Sequence, residues 1–257
     1  IVMNEVDGCF HYGIINVMCY ALLNVLPSYI KACKKNDPDL NQCIVNSIEQ
    51  LREKLSEGIP ELGAPPIEPL KLNQVRLLRG PVGARLDVNL TDIQVNSIDR
   101  WQVENCFCKH LIDTEKDRVR LKLYIPRLEM ISNYIMEGKI LMLPITGNGI
   151  ARGNYTDTDV IVTIQGERYY DRKTDKLHFR AIDFYVDFDV GHATIHLDNL
   201  FNGDQTLADA MNLFLNDNWK SVAAEIKPAL EETIADLFKT FSNKIYSKYP
   251  LDTLLPP

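Results

Sequence analysis

The cysteines, histidines and glycine-rich stretches are where this 257-residue chain could do chemistry. Cys106 and Cys108 stand two apart in a strand-like stretch, so their side chains fall on one face. Parallel Cβ vectors of that kind rarely bridge each other. No second Cys or His pair stands nearby at ligand spacing, and His110 alone does not complete a zinc set. Both read as packed free thiols. Cys33 and Cys43 bracket the polar segment KKNDPDLNQ, and in an oxidising compartment they would close a short loop worth ~2–3 kcal/mol. His192 and His196 lie four apart with Asp198 beyond, on one face of a strand, which would suit a metal. Gly191 and the alternation of Ala193, Ile195 and Leu197 favour a surface-facing pair instead. The glycines of Gly147–Gly153 are spaced G-x-G-x-x-x-G and lead into a strand, which is the wrong context for a dinucleotide. Neither G-x-S-x-G nor a P-loop is present. No enzyme, metal site or cofactor is expected. Asn89-Leu90-Thr91 and Asn154-Tyr155-Thr156 are sequons, so Asn89 and Asn154 are glycosylation candidates if the chain is secreted.

Composition narrows the class. The chain is 46% hydrophobic and 25% charged, as soluble globular proteins are, and its net charge is −7. That charge disfavours nucleic acid and anionic membrane surfaces, which need basic patches. Gly13 to Ile30 is uncharged, but its apolar core is short and Pro27 interrupts it. It reads as a secretory h-region, with the mature start near Leu26 and Cys9 and Cys19 removed with the leader. Glu5 and Asp7 stand where a positive n-region belongs, and an N-terminal helix packed on the body is the other reading.

The elements that must position any site fall into two sets. From Gln205 to Tyr249, apolar residues recur at three- and four-residue steps, from Leu207 and Met211 through Ile226 and Leu237 to Ile245. That is an amphipathic helix ~65 Å long if straight, with Asp204 as N-cap. Asn212, Asn216 and Asn243 are assigned to its solvent side. Pro228 predicts a kink or break. The stripe lacks the strict heptad of a coiled coil, so it requires a long apolar trough. Cys43–Glu57 reads as a helix stopped by Gly58, and Pro60, Pro65, Pro66 and Pro69 make an extended crossing. From Leu70 to Phe201 the period becomes two. Strands are expected on both sides of Asn89-Leu90-Thr91, at 118–125, 128–136, 140–145 and 159–170, and from Ile182 to Val190. Glu137-Gly138 and Asp171–Lys176 are the expected turns. Such a meander is apolar on one face, and a long twisted sheet curls into the trough the helix requires.

Several stretches resemble the takeout / juvenile hormone-binding protein family of insects. They are LPSYIKACKKNDPDLNQC (26–43), GIPELGAPPIEPL (58–70), YIPRLEMISNYIMEGKILMLPITGNG (124–149), VDFDVGHATIHLDNLFNGDQTLADAMNLFLNDNW (186–219) and KPALEETIADLF (227–238). The resemblance runs from about Leu26 to Pro257. It implies an α+β fold in which a long curved antiparallel sheet wraps a long C-terminal helix, the tubular lipid-binding type, as a single domain over 26–257 after a signal segment at 1–25. It implies a secreted, extracellular carrier with a hydrophobic tunnel between helix and sheet, and a Cys33–Cys43 disulfide. A second disulfide of the hormone-binding branch has no cysteines to match it here, which favours the takeout branch. Ile131 and Ile135 are apolar where the family carries outward polar residues.

Candidate tunnel-lining residues are Met130, Tyr134, Phe184, Val186 and Phe188 from strands, and Met211, Phe214, Leu215, Val222, Ile226, Leu230 and Phe238 from the helix. The expected partner is a small lipophilic ligand of juvenile hormone, other terpenoid, fatty acid or quinone type, with a cell-surface receptor as a further partner class. Nucleic acid and stable membrane insertion are not expected, and a monomer is. The alternatives are an interaction protein whose tunnel is filled by side chains, and a membrane-lipid binder with a basic or apolar tip.

Overall fold

A computed structural model describes residues 26–79, 85–109, 117–172 and 175–257. The expected signal segment lies outside the described residues. Cys33 and Cys43 form a disulfide across ten residues. Two short helices follow, α1 (Leu40–Gln50) and α2 (Arg52–Glu57). Gly58 ends α2 at φ 86, a conformation open to glycine and crowded for other residues.

The sheet has six strands: β1 (Leu70–Arg79), β2 (Leu86–Asn96), β3 (Gln102–Lys109), β4 (Asp117–Ile140), β5 (Leu143–Asp171) and β6 (Lys176–Leu197). All pairings are antiparallel, in the order β1-β2-β4-β5-β6. β3 pairs with the first half of β4 while β2 pairs with the second half, so both lie along one long neighbour. The C-terminal run forms α3 (Gln205–Asp217) and α4 (Trp219–Lys248), and a last turn, α5 (Leu251–Leu254), follows. Asp204 caps α3, accepting from the Leu207 N–H at 3.1 Å.

The strands are longer and fewer than the alternation suggests. Asn89-Leu90-Thr91 lies inside β2, where a bulge near Asp92 (φ 51) replaces the expected turn. Glu137-Gly138 is not a turn either. A Cβ on Gly138 would stand 2.0 Å from the Arg85 carbonyl oxygen, so that glycine admits the close approach of β2. The β4–β5 turn is made by Leu141 and Met142, both at positive φ, as the right-handed strand twist requires of a two-residue hairpin.

A crease crosses the sheet at Pro126, Asp157 and Gly191. Asp157 adopts φ 55, and the β5–β6 register passes from Thr156↔His192 to Thr158↔Val190 around it. The inward positions on β5 thereby switch from odd (Ile145, Ala151, Gly153) to even (Thr158, Ile164, Gly166).

The helical run does divide in two, but at Asn218 (φ −110, ψ 22) and not at Pro228, which lies within the 30-residue α4. Pro228 is solvent-exposed, where water can replace the donor its ring lacks.

Candidate functional site

The inner face of the sheet faces α3 and α4. Four consecutive rungs cross β4, β5 and β6: Val119–Ile164–Phe184, Leu121–Val162–Val186, Leu123–Val160–Phe188 and Ile125–Thr158–Val190. Apart from the buried Ile164, Val186 and Thr158, these side chains are only half-buried. Packing is tighter at the ends. At one end Leu86, Tyr134, Ile145, Leu197, Leu200, Met211, Leu215 and Val222 make a closed core. At the other, Ile59, Leu62 and Tyr249 pack with Tyr29, Leu55 and Ile245, fastening the N-terminal helices to the end of α4.

The candidate lining residues divide accordingly. Tyr134, Met211, Leu215 and Val222 lie within the closed core, and Met130, Phe214, Ile226 and Leu230 pack partly buried against it. Phe184, Val186 and Phe188 stand on the four-rung face. Phe238 is 41% exposed, and its ring lies parallel to that of Phe184, with centroids 6.4 Å apart.

Three hydroxyls interrupt the apolar face. Ser132 and Thr158 are buried, and their oxygens have no hydrogen-bond partner. Tyr155 leans over Gly153, where a Cβ would stand 2.5 Å from its hydroxyl, and burial pushes its pKa up to about 12. Sequence reading missed Thr158, because the switch at Asp157 turns the even-numbered β5 positions beyond it inward.

It also missed how the helices hold the sheet. Strand β6 is an edge, and an edge carries backbone groups without a strand partner. Asn212 accepts from the Leu197 N–H at 2.9 Å and donates to the Leu197 carbonyl at 3.0 Å. Asn216 does the same for Ile195 at 2.9 and 2.7 Å, and Asn243 for Ala181 at 2.8 and 3.0 Å. Glu231 accepts from the Phe188 N–H at 3.2 Å, and Lys227 pairs with Asp187 at 2.7 Å. The Lys227 hydrogen bond holds the Asp187 carboxyl below its ordinary pKa, and Asp187 raises that of Lys227. The helices thus serve as a side-chain substitute for a seventh strand. The assignment of the three asparagines to solvent is corrected: β6 occupies that side.

The remaining histidines of the sequence analysis that the structure describes hold surface positions. His192 packs edge-on to Trp219, at 5.5 Å, and His196 Nε2 lies 3.2 Å from an Asp198 oxygen that Arg152 also engages. Among the described residues no cluster of three or more His, Cys, Asp or Glu could hold a metal. Cys106 is fully buried, the side chain of Cys108 lies outside the described residues, and so does His110. Asn154 is exposed on the outer face, while Asn89 is half-buried and bonded to Gln74 at 2.7 Å. Ile131 (38%) and Ile135 (62%) are exposed on the outer face of β4. Among the described residues no helix is long and apolar enough to cross a membrane.

Comparison with known proteins gives concordant matches. A family model described as haemolymph juvenile hormone binding protein (JHBP) matches residues 14–256. The circadian clock-controlled protein daywake of Drosophila melanogaster is 26% identical over 234 residues, covering 88% of this chain and 86% of that protein. Its counterpart in Drosophila yakuba is 24% identical over 233 residues, with the same coverage. The crystal structure of Epiphyas postvittana Takeout 1 superposes with a TM-score of 0.72 at 25% identity, covering 89% of this chain and 100% of the other. That likeness bears out the curled sheet and long C-terminal helix expected above.

Proposed function

This chain belongs to the haemolymph juvenile hormone binding protein family, and from that premise we propose that it is a secreted carrier holding a small lipophilic ligand between α4 and the sheet. The observation that carries this reading is the four-rung apolar face, nine of whose twelve side chains are only half-buried, between the closed cores at its two ends. Apolar side chains left half-accessible on an inward face leave transfer free energy unused. A hydrocarbon ligand laid along them would recover ~0.8 kcal/mol per methylene, or ~8 kcal/mol for ten before ordering costs.

The wall also suggests the ligand's polarity. The unpartnered hydroxyls of Ser132 and Thr158, with Tyr155, can satisfy an isolated oxygen but not a chain of polar groups. A terpenoid, fatty acid or quinone fits that description. Uptake needs no bond-making step, so no catalytic residue is assigned. Secretion accords with the Cys33–Cys43 disulfide, since such bridges persist in oxidising compartments. The exposed Asn154 is the sequon better placed for a glycan.

The test is to purify the protein from a eukaryotic secretory host, extract it with organic solvent and identify co-purified lipophiles by mass spectrometry. The stripped protein is then titrated with cis-parinaric acid, a fluorescent fatty acid. One bound lipophile per chain and saturable uptake are expected. An empty extract together with no uptake would overturn the carrier reading in favour of a cavity filled by side chains.

A further inference from the structure

We propose that the ligand enters and leaves sideways, through an aromatic window in the seam between α4 and β6, formed by Phe184, Phe238 and Phe241; this rests on the carrier reading above. The seam is not uniform. On one side of the window it is held by Glu231 on the Phe188 N–H, and on the other by the paired bonds of Asn243 to Ala181. Between Glu231 and Asn243 the helix rises ~18 Å. Among the described residues no hydrogen bond or ion pair joins helix to strand over that interval.

What fills it is apolar and non-directional. The Phe184 and Phe238 rings lie parallel within 13° at 6.4 Å, and Phe241 stands edge-on to Phe238 at 6.5 Å. Phe184 belongs to the inner rung Val119–Ile164–Phe184, while Phe238 is 41% exposed. The ring pair therefore bridges the apolar face and solvent. Lys227, Glu231 and Phe238 fall at i, i+4 and i+11, so Phe238 lies on the helical stripe that grips β6. Anchored hydrogen bonds on both sides fix the helix in place. Rotation of the Phe238 side chain then opens the window without moving the helix, since stacking of rings has no fixed partner to break.

A portal residue changes rates, whereas a wall residue changes affinity. Stopped-flow mixing with cis-parinaric acid separates the two, using wild type, Phe238→Ala, Phe238→Trp and, as control, Leu213→Ala at an exposed position on α3. Phe238→Ala is expected to speed association and release alike, by about tenfold, with Kd within about twofold of wild type. Phe238→Trp slows both, and Leu213→Ala changes neither. If Phe238→Ala leaves both rates at wild-type values, or raises Kd through release alone, the window is overturned while the carrier reading stands. If wild type itself fails to take up the probe and its solvent extract is empty, both are overturned.

Discussion

Replacing Asn212 with alanine tests whether the helices truly stand in for a missing strand. Asn212 and Leu197 are both buried, and one side-chain amide satisfies both backbone groups of Leu197. Truncation strands an N–H and a C=O, each worth ~1–3 kcal/mol when left unpaired in the interior. The vacated amide volume lies at a sheet edge, where water can enter and offset part of that loss. The expected cost is therefore ~2–3 kcal/mol, toward the lower end of the sum. Urea unfolding followed by circular dichroism measures it, with Asn46→Ala on the exposed face of α1 as a control expected within ~0.5 kcal/mol of wild type. Asn212→Asp supplies the discriminating arm. An aspartate keeps the acceptor for the Leu197 N–H but turns a carboxylate oxygen toward the Leu197 carbonyl. Its folded pKa is then raised, so it destabilises at pH 7 and recovers as pH falls and the carboxyl gains a proton to donate. An alanine variant within ~0.5 kcal/mol of wild type, or an aspartate variant as stable as wild type at pH 7, would refute the clamp.

Tyr134 donates to the Asp198 carbonyl at 2.6 Å, and burial, with Asp198 nearby, pushes its pKa up to about 12. A phenol protonated more firmly in the folded state contributes stability fully present below the unfolded pKa of ~10 and lost as pH rises toward 12. Tyr134→Phe is expected to cost ~1–3 kcal/mol at pH 7 and to flatten the alkaline decline between about pH 10 and about 12 in urea titrations. Reducing the Cys33–Cys43 bridge should lower the unfolding free energy by ~2–3 kcal/mol, read from midpoints with and without reductant. A Cβ at Gly166 would stand 2.0 Å from Phe179 Cζ, so Gly166→Ala must displace that ring and is expected to cost ~1–3 kcal/mol by the same assay.

The broad design was legible because two periods carry it. Alternation over Ile182–Val190 and the three-to-four step over Leu207–Ile245 each report a surface half in contact with apolar neighbours. Asp204 at the N-cap and Gly58 beyond α2 were equally plain, since a cap is a local event. Strand continuity was not local. β4 and β5 run 24 and 29 residues because Pro126 and Asp157 bend the sheet without ending it. In sequence a bulge and a turn share the same polar and proline marks. Only the pairing partners distinguish them: Gly138 resembles a turn glycine until the Arg85 carbonyl, at the mouth of β2, is laid 2.0 Å from its absent Cβ.

The asparagines show where pattern reading runs out and what signal remained. A polar residue beside an apolar helical stripe is ordinarily solvated, and nothing in a hydropathy period separates water from the backbone edge of a strand. Both offer donors and acceptors to an amide. Yet asparagine is a poor helix interior residue, because its side chain competes for the backbone. Asn212 and Asn216 stand one turn apart, next to Met211 and Leu215, in a helix that could have carried glutamate or lysine there at lower cost. Paying that propensity twice at i and i+4 makes sense if each amide meets an N–H and a C=O together, which a carboxylate or an ammonium cannot do. Strand residues on one face are ~6.6 Å apart and a helical turn rises 5.4 Å, so amides one turn apart meet strand residues two apart. Leu197 and Ile195 are such a pair. Asn243, in the second helix beyond the break at Asn218, gives the same paired bonds to Ala181 at the far end of β6. Asparagines one turn apart beside the apolar stripe of a long helix, in a chain whose last strand must be an edge, therefore mark the line along which helix and sheet are sewn together, and the interval between Glu231 and Asn243, which no such bond spans, is where Phe238 lies.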